Sequence, residues 1–164
     1  MSVEPDAAPD VPFAPGSAVD VEGPVGTFTL PADMPAGWLL FVAGGTGIAP
    51  LRSMLDHLVR SRSTPRMSLL YSARSGDEFA FMSELESHAR AGVLELHPTV
   101  TRDDAAWSGR RGRIGRSHFE AVLHAPADTL CFACGPAALV DESVATLEAL
   151  GVPQARIRTE RWGK

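Results

Sequence analysis

The sequence predicts a three-layer α/β domain built on a doubly wound, five-stranded parallel sheet of order 3-2-1-4-5. Three observations predict it. Five strand-like runs alternate with four helical patterns between residues 38 and 160, as repeated βαβ units require. The first run, Trp38-Leu-Leu-Phe-Val-Ala43, is continuously apolar, which fits a strand buried on both faces. Short loops carrying Gly or Pro join the units, and no repeat of fixed period interrupts them.

The elements follow in order. Residues 1–16 contain Pro5, Pro9, Pro12 and Pro15 among Ala and Asp, the composition of a flexible arm. Within residues 17–36, Ala18 to Glu22 alternates, Gly23-Pro-Val-Gly26 turns the chain, and Thr27 to Leu30 alternates again, which predicts a β-hairpin. Residues 37–164 form the main unit. After the first strand come glycines, then a helix from Pro50 with Leu51, Met54, Leu55 and Leu58 on one face; proline suits a first helical turn. Met67 to Tyr71 is the second strand, Phe81 to Arg90 a weaker helix, and Val93 to Val100 the third strand. Ser117 is placed to cap a short helix carrying Phe119, Val122 and Leu123. Thr129 to Ala133 is the fourth strand. Ala137 to Leu150 is a helix with Val140, Val144 and Leu147 in one stripe, stopped by Gly151 and Pro153. Arg156 to Glu160 is the last strand.

Composition bounds the function. The chain has 164 residues, 45% hydrophobic and 21% charged, with a formal net charge of −5. That is one globular domain with a short appendage, and the acidic balance argues against nucleic acid as a partner. No apolar run approaches the ~20 residues of a membrane span. The start of the chain lacks a basic-then-apolar leader pattern. Cys131 and Cys134 are too few to staple a fold and fit a reducing, cytoplasmic compartment. The five histidines show no ligand spacing, so metal binding has no support. No nucleophile elbow marks a hydrolase.

Chemistry concentrates in loops. Gly44-Gly-Thr-Gly-Ile-Ala-Pro50 lies between an apolar strand and an amphipathic helix. Glycines there permit a tight turn and the approach of an anion to backbone N–H groups, and the helix dipole favours negative charge. Pro50 stands where a third dinucleotide-binding glycine would be, and no Lys-Ser/Thr pair follows. Phosphate binding and a plain strand-to-helix turn are both open for this loop alone. Cys134-Gly-Pro136 follows the fourth strand. In the expected sheet order strands one and four are neighbours at the topological switch point, so the two loops flank one crevice. Arg102, Arg110, Arg111, Arg113 and Arg116 crowd the third loop, whereas the tip of strand two, Ser72-Ala-Arg74, bears no acid. Arginine complements a ribose 2′-phosphate and a carboxylate complements a free 2′-hydroxyl, so were the ligand a nicotinamide dinucleotide, the charges would prefer NADP over NAD; a solvated basic loop balanced by Asp103 and Asp104 is the competing explanation. Cys131-Phe-Ala-Cys134 has dithiol spacing, but Cys131 falls inside a strand. Cys134 stands beside a helix N-terminus, which lowers a thiol pKa.

The ordered set Gly44-Gly-Thr-Gly-Ile-Ala-Pro50, Tyr71-Ser-Ala-Arg74, Thr101-Arg102, Trp107-Ser-Gly-Arg-Arg-Gly-Arg-Ile114, Cys134-Gly-Pro136 and Glu160-Arg-Trp162 resembles the NAD(P)-binding domain of the ferredoxin–NADP reductase superfamily. The resemblance spans residues 17–162. It implies that Gly44, Gly45, Thr46 and Gly47, with Ile48 and Pro50 behind them, hold the pyrophosphate. It places Thr101 and Arg102 on the adenosine-side phosphate; Arg74, Arg111 and Arg113, from the charge argument, join them as cofactor-binding candidates. It places Cys134, with Gly135 and Pro136, beside the nicotinamide, Glu160 near the reaction centre, and Trp162 on the flavin, displaced by nicotinamide. Cys134, Glu160 and Trp162 are thus the implied catalytic residues. Val19 to Phe28 resembles the last hairpin of the family's FAD-binding barrel, yet the flavin motif Arg-x-Tyr-Ser is absent from these residues. FAD is therefore expected only through a partner or a segment not in this chain. The implied function is an NAD(P)H-binding oxidoreductase domain that presents nicotinamide to a flavin. Its implied partner is a flavin-carrying domain or subunit, with an iron–sulfur or haem protein as the further electron acceptor. Two alternatives stay open: a truncated, non-catalytic nucleotide-binding or protein-interaction module, and a reductase that takes free flavin as substrate.

Overall fold

The computed structural model describes residues 15–23, 25–33, 37–61, 65–102 and 105–163. Its sheet has six parallel strands: β1 (Trp38–Gly44), β2 (Arg66–Ala73), β3 (Leu94–Val100), β4 (Arg110–Arg111), β5 (Thr129–Pro136) and β6 (Ile157–Trp162), in the order β4-β3-β2-β1-β5-β6. The helices are α1 (Ile48–Arg60), α2 (Met82–Arg90), α3 (Arg116–Val122) and α4 (Ala137–Ala149). The five expected strands thus take the expected order. The sixth, β4, is a two-residue rung of the arginine loop on the outer edge of β3, too short to leave a periodic signal.

Alternating side chains of each buried strand enter two cores. Leu39, Phe41, Leu69, Tyr71 and Phe132 pack with α1 and α2 on one face. Leu40, Val42, Leu70, Cys131 and Ala133 pack with α3 and α4 on the other. Phe41 and Phe132 meet at 5.8 Å between centroids across the β1–β5 pair. Burial on both faces explains why the β1 run is continuously apolar.

Several boundaries depart from the expectations. The predicted hairpin does not form: no described residue between 15 and 33 belongs to a strand. Val19, Val21 and Val25 lie exposed, so alternation there buries nothing. Phe28 instead docks edge-on against Phe132 at 5.7 Å, and Arg158 donates to the Thr29 carbonyl. Residues 1–14 of the expected arm lie outside the described residues. Helix α1 begins at Ile48, two residues before Pro50, after a single 3-10 turn over Gly45–Gly47. Proline is tolerated there because the first-turn N–H groups have no intrahelical acceptor. Gly115, not Ser117, precedes α3, and its N–H donates to His118 Nδ1 at 3.2 Å. Phe81 stands just outside α2 in the left-handed region, φ 60°. Arg52 of α1 lies over its ring at 5.0 Å and makes a forked bond to Glu84 of α2. Strand β5 continues three residues beyond Ala133, because Gly135 and Pro136 still pair with Arg161 and Trp162 of β6. No helix among the described residues is long and apolar enough to cross a membrane.

Phe132→Ala is expected to remove about 3–5 kcal/mol of stability, since its ring is fully buried between β1 and the Phe28 segment. Val21→Ala, at an exposed position, is expected to change stability by less than about 0.5 kcal/mol. Urea denaturation measures both, and equal losses would contradict this packing.

Candidate functional site

The parallel register brings the motif residues to one edge of the sheet. Gly44 stands level with Ser72, Ala43 with Cys134, and Cys134 with Glu160. Beyond these ends opens a cleft of about 640 Å³, lined by residues of six separate segments: 44–46, 72–74 with Glu78, 101–102, 113–114, 136–142 and Trp162. That volume lies within the roughly 300–1,000 Å³ usual for small-molecule and cofactor sites. It lies where β1 and β5 part, with α1 and α4 leaving to opposite faces, the switch point of a doubly wound sheet.

Glycine is required at the floor of the cleft by close approach. A Cβ on Gly47 would lie 2.1 Å from the Cys134 carbonyl oxygen and 2.7 Å from Trp162 Cη2. One on Gly44 would lie 2.5 Å from Leu139 Cδ2 and 2.9 Å from Pro136 Cδ. Gly45 differs: its φ is +54° and nothing lies within 4 Å of its Cβ position. It is exposed, so its side of the turn is free for a ligand to approach.

The arginine wall is built by backbone pairing. Thr101 N–H donates to the Ala73 carbonyl and Arg102 N–H to the Arg74 carbonyl, each at 2.9 Å. These loop bonds lie just past the ends of β2 and β3 and tie the segment carrying Arg102 to the one carrying Arg74. The buried Thr99 hydroxyl donates to the Gly112 carbonyl at 2.9 Å, and Gly112 N–H donates to the Val100 carbonyl at 2.8 Å. Those bonds anchor the loop that carries Arg113 into the cleft.

Of the residues singled out in the sequence, Gly44, Gly45, Thr46, Arg74, Thr101, Arg102, Arg113, Pro136 and Trp162 line the cleft. Gly47, Pro50, Cys134 and Gly135 are not among the lining residues, and Ile48 and Cys134 are core. Arg111 is not brought in; its guanidinium donates to the Trp107 carbonyl within its own loop. Glu160 is exposed beyond the cleft and accepts from the Cys134 thiol at 3.8 Å. The expectation of a lowered Cys134 pKa is overturned. Burial pushes this thiol up to about 12, and the neighbouring Glu160 carboxylate adds to the shift. Desolvation of a thiolate that is 1% exposed outweighs what the nearby helix N-terminus can return. Sequence reading missed Glu78 and Glu142. Glu78 reaches the cleft from a 3-10 turn after β2, and Glu142 from the first turns of α4. Spacing alone marks neither, though Glu78 follows Arg74 by four residues.

Residues 41–144 match the family model described as the oxidoreductase NAD-binding domain. The chain is 34% identical over 160 residues to ferredoxin–NADP reductase B of Sorangium cellulosum, covering 90% of this chain and 63% of that protein. It is 31% identical over 151 residues to the Pseudomonas aeruginosa glycine betaine monooxygenase reductase subunit, covering 90% of this chain and 41% of that protein. It therefore spans less than two thirds of either relative. Among solved structures, the cytochrome b5 reductase domain of Ulva prolifera nitrate reductase superposes with a TM-score of 0.75 at 22% identity, covering 85% of this chain and 57% of that one. At that identity the likeness shows the shared fold.

Two outcomes test this geometry. Gly47→Ala is expected to cost about 1–3 kcal/mol through overpacking against β5, and a variant as stable as the parent in urea would contradict the close approach. Cys131 and Cys134 are expected to resist iodoacetamide in the folded protein at pH 8, since burial raises both thiols to about 12, and to react after denaturation. Prompt labelling of the native chain, read by mass spectrometry, would contradict it.

Proposed function

Because the chain belongs to the oxidoreductase NAD-binding domain family, we propose that it binds NAD(P)H across the cleft between β1 and β5 and presents the nicotinamide to a flavin. The observation that carries this reading is convergence. Six segments that are distant in sequence line one cleft of cofactor size, and they are the segments whose motifs implied the role.

The residues fit the cofactor. At Gly45 no Cβ blocks an approaching pyrophosphate, and the first N–H groups of α1 lie just behind it, where they favour an anion. Arg74, Arg102 and Arg113 offer charge and forked donors on the adenosine side. When bound, the nicotinamide supplies a hydride, and the redox chemistry belongs to the cofactors. The chain's own residues bind, orient and shield. Cys134 keeps a buried, neutral thiol two residues before the end of β5, held by its bond to Glu160, below the proposed nicotinamide end of the cleft. Trp162 lies against Gly47 and covers the adjoining wall, so it moves aside when nicotinamide enters.

The finer assignment is NADP over NAD. Three arginines face two glutamates, Glu78 and Glu142, around the cleft. That balance favours a 2′-phosphate, while Glu78 is the group that would serve a free ribose hydroxyl. The flavin is FAD on a partner chain or on a segment outside these 164 residues, and the onward acceptor is an iron–sulfur or haem protein. Residues 37–164 are the nucleotide-binding unit, and residues 17–36 are the joint to the flavin-bearing part. The chain works in the cytoplasm, where two buried free thiols are compatible with the redox conditions.

Calorimetry should show NADPH binding more tightly than NADH. Arg102→Ala should weaken NADPH about tenfold, roughly 1.4 kcal/mol, and change NADH less than about twofold. Equal weakening of both would reject the phosphate role, and the absence of binding to either at millimolar concentration would reject the function.

A further inference from the structure

We infer that Tyr71 is the positioning residue of this cleft: its hydroxyl fixes the Gly45–Thr46 peptide so that the Thr46 N–H is turned to the incoming phosphate. The inference rests on the cofactor reading above and assigns to it a group that touches no ligand.

Tyr71 is fully buried in the middle of the sheet, among side chains that are otherwise apolar. Phenylalanine would fill that space, so the hydroxyl calls for an explanation, and a buried hydroxyl must find partners. It has two. Ala80 N–H donates to the Tyr71 oxygen at 3.1 Å, and the Tyr71 hydroxyl donates to the Gly45 carbonyl at 3.2 Å. Burial pushes the phenol above its ordinary range despite the opposing bond from Ala80, so the proton needed for donation stays in place at physiological pH.

The Gly45 carbonyl also accepts the Ile48 N–H at the foot of α1. Both of its lone-pair directions are therefore used. A trans peptide is planar, with its C=O and N–H opposed. A Gly45 carbonyl turned inward to Tyr71 thus turns the Thr46 N–H outward, and Thr46 lines the cleft. Glycine at φ +54° with open space around it permits this orientation but does not enforce it, because glycine populates both signs of φ about equally. Tyr71 supplies the enforcement.

The same hydroxyl joins this turn to the opposite wall. Ala80 lies between Phe79 and Phe81. The Phe79 ring packs edge-on against Tyr71 at 4.8 Å and against Trp107 at 5.2 Å. Trp107 Nε1–H donates to the Arg110 carbonyl at 2.8 Å within the arginine loop. Phe81 holds a left-handed backbone that costs a bulky residue free energy, and the forked Arg52–Glu84 pair braces it. The β2–α2 connection is thereby held where its Ala80 N–H meets Tyr71.

The experiment compares the full chain with Tyr71→Phe, which keeps the ring and its packing. Calorimetry uses NADPH, which carries the pyrophosphate, and 2′,5′-ADP, which carries the adenosine-side phosphates without it. The expected result is a Kd about tenfold higher for NADPH and within twofold for 2′,5′-ADP. A general loss of structure would weaken both. Amide exchange by NMR gives a ligand-free reading: the Ala80 and Ile48 amides should exchange about tenfold faster in the variant, with Leu70 in the sheet unchanged. Parent-like NADPH affinity, or parallel weakening of both ligands, would overturn the inference and leave the cofactor reading standing. A parent chain that binds neither ligand would overturn that reading, and this inference with it.

Discussion

Between the turn that closes β1 and the end of β5 there is no room for a side chain. Gly47 lies against the Cys134 carbonyl and the Trp162 ring, Gly44 against Leu139 and Pro136, and Gly135 against Gly44. This contact sets how closely two strands at a switch point can bring their loops together, and the cleft is the space left above it. A cleft of this kind needs walls that diverge from a tight floor. Here the floor is made of glycines and the walls of residues that follow β2, β3 and β5. The glycines at 44 and 47 therefore shape the site by packing, and Gly45 is the exposed glycine of the β1 turn, with open space at its Cβ position.

Charge is distributed in the same way. The chain is acidic overall, at −5, but the cleft gathers Arg74, Arg102 and Arg113 from three loops. Backbone bonds from Thr101 and Arg102 to Ala73 and Arg74 tie two of those loops together, so the positive wall follows from loop pairing at the sheet end rather than from a run of basic residues. Arg111 shows the converse. It belongs to the same cluster in sequence, but its guanidinium serves its own loop. Cys134 shows how burial outweighs a nearby dipole. The buried thiol at the β5 end of the cleft floor stays neutral beside the Glu160 carboxylate, as a nucleophile would not.

Much of this was legible in the sequence, for physical reasons. A strand buried on both faces must be apolar throughout, so Trp38 to Ala43 declared itself. A phosphate-compatible turn needs glycine, so residues 44–47 did as well. The limits were equally physical. Alternation in residues 18–30 reads as strand, yet a strand requires a partner, and none is present among the described residues there. The end of β5 runs through Gly135 and Pro136 because β6 pairs with it, a tertiary fact that propensity cannot carry. Glu78 and Glu142 reach the cleft through the placement of a 3-10 turn and a helix face. The hydroxyl of Tyr71 gains its meaning only when Gly45 and Ala80 come within reach.

A single nucleotide bound between β1 and β5, as proposed above, would touch all walls of the cleft together. The most direct measurement is an NMR titration of the amide-labelled chain with NADPH. The amides of Gly45, Thr46, Arg74, Thr101, Arg102, Arg113 and Gly135 are expected to shift along one binding isotherm. Shifts confined to the groove at the opposite end of the sheet, around Trp38, Arg66 and Glu95, or isotherms that differ from wall to wall, would contradict it.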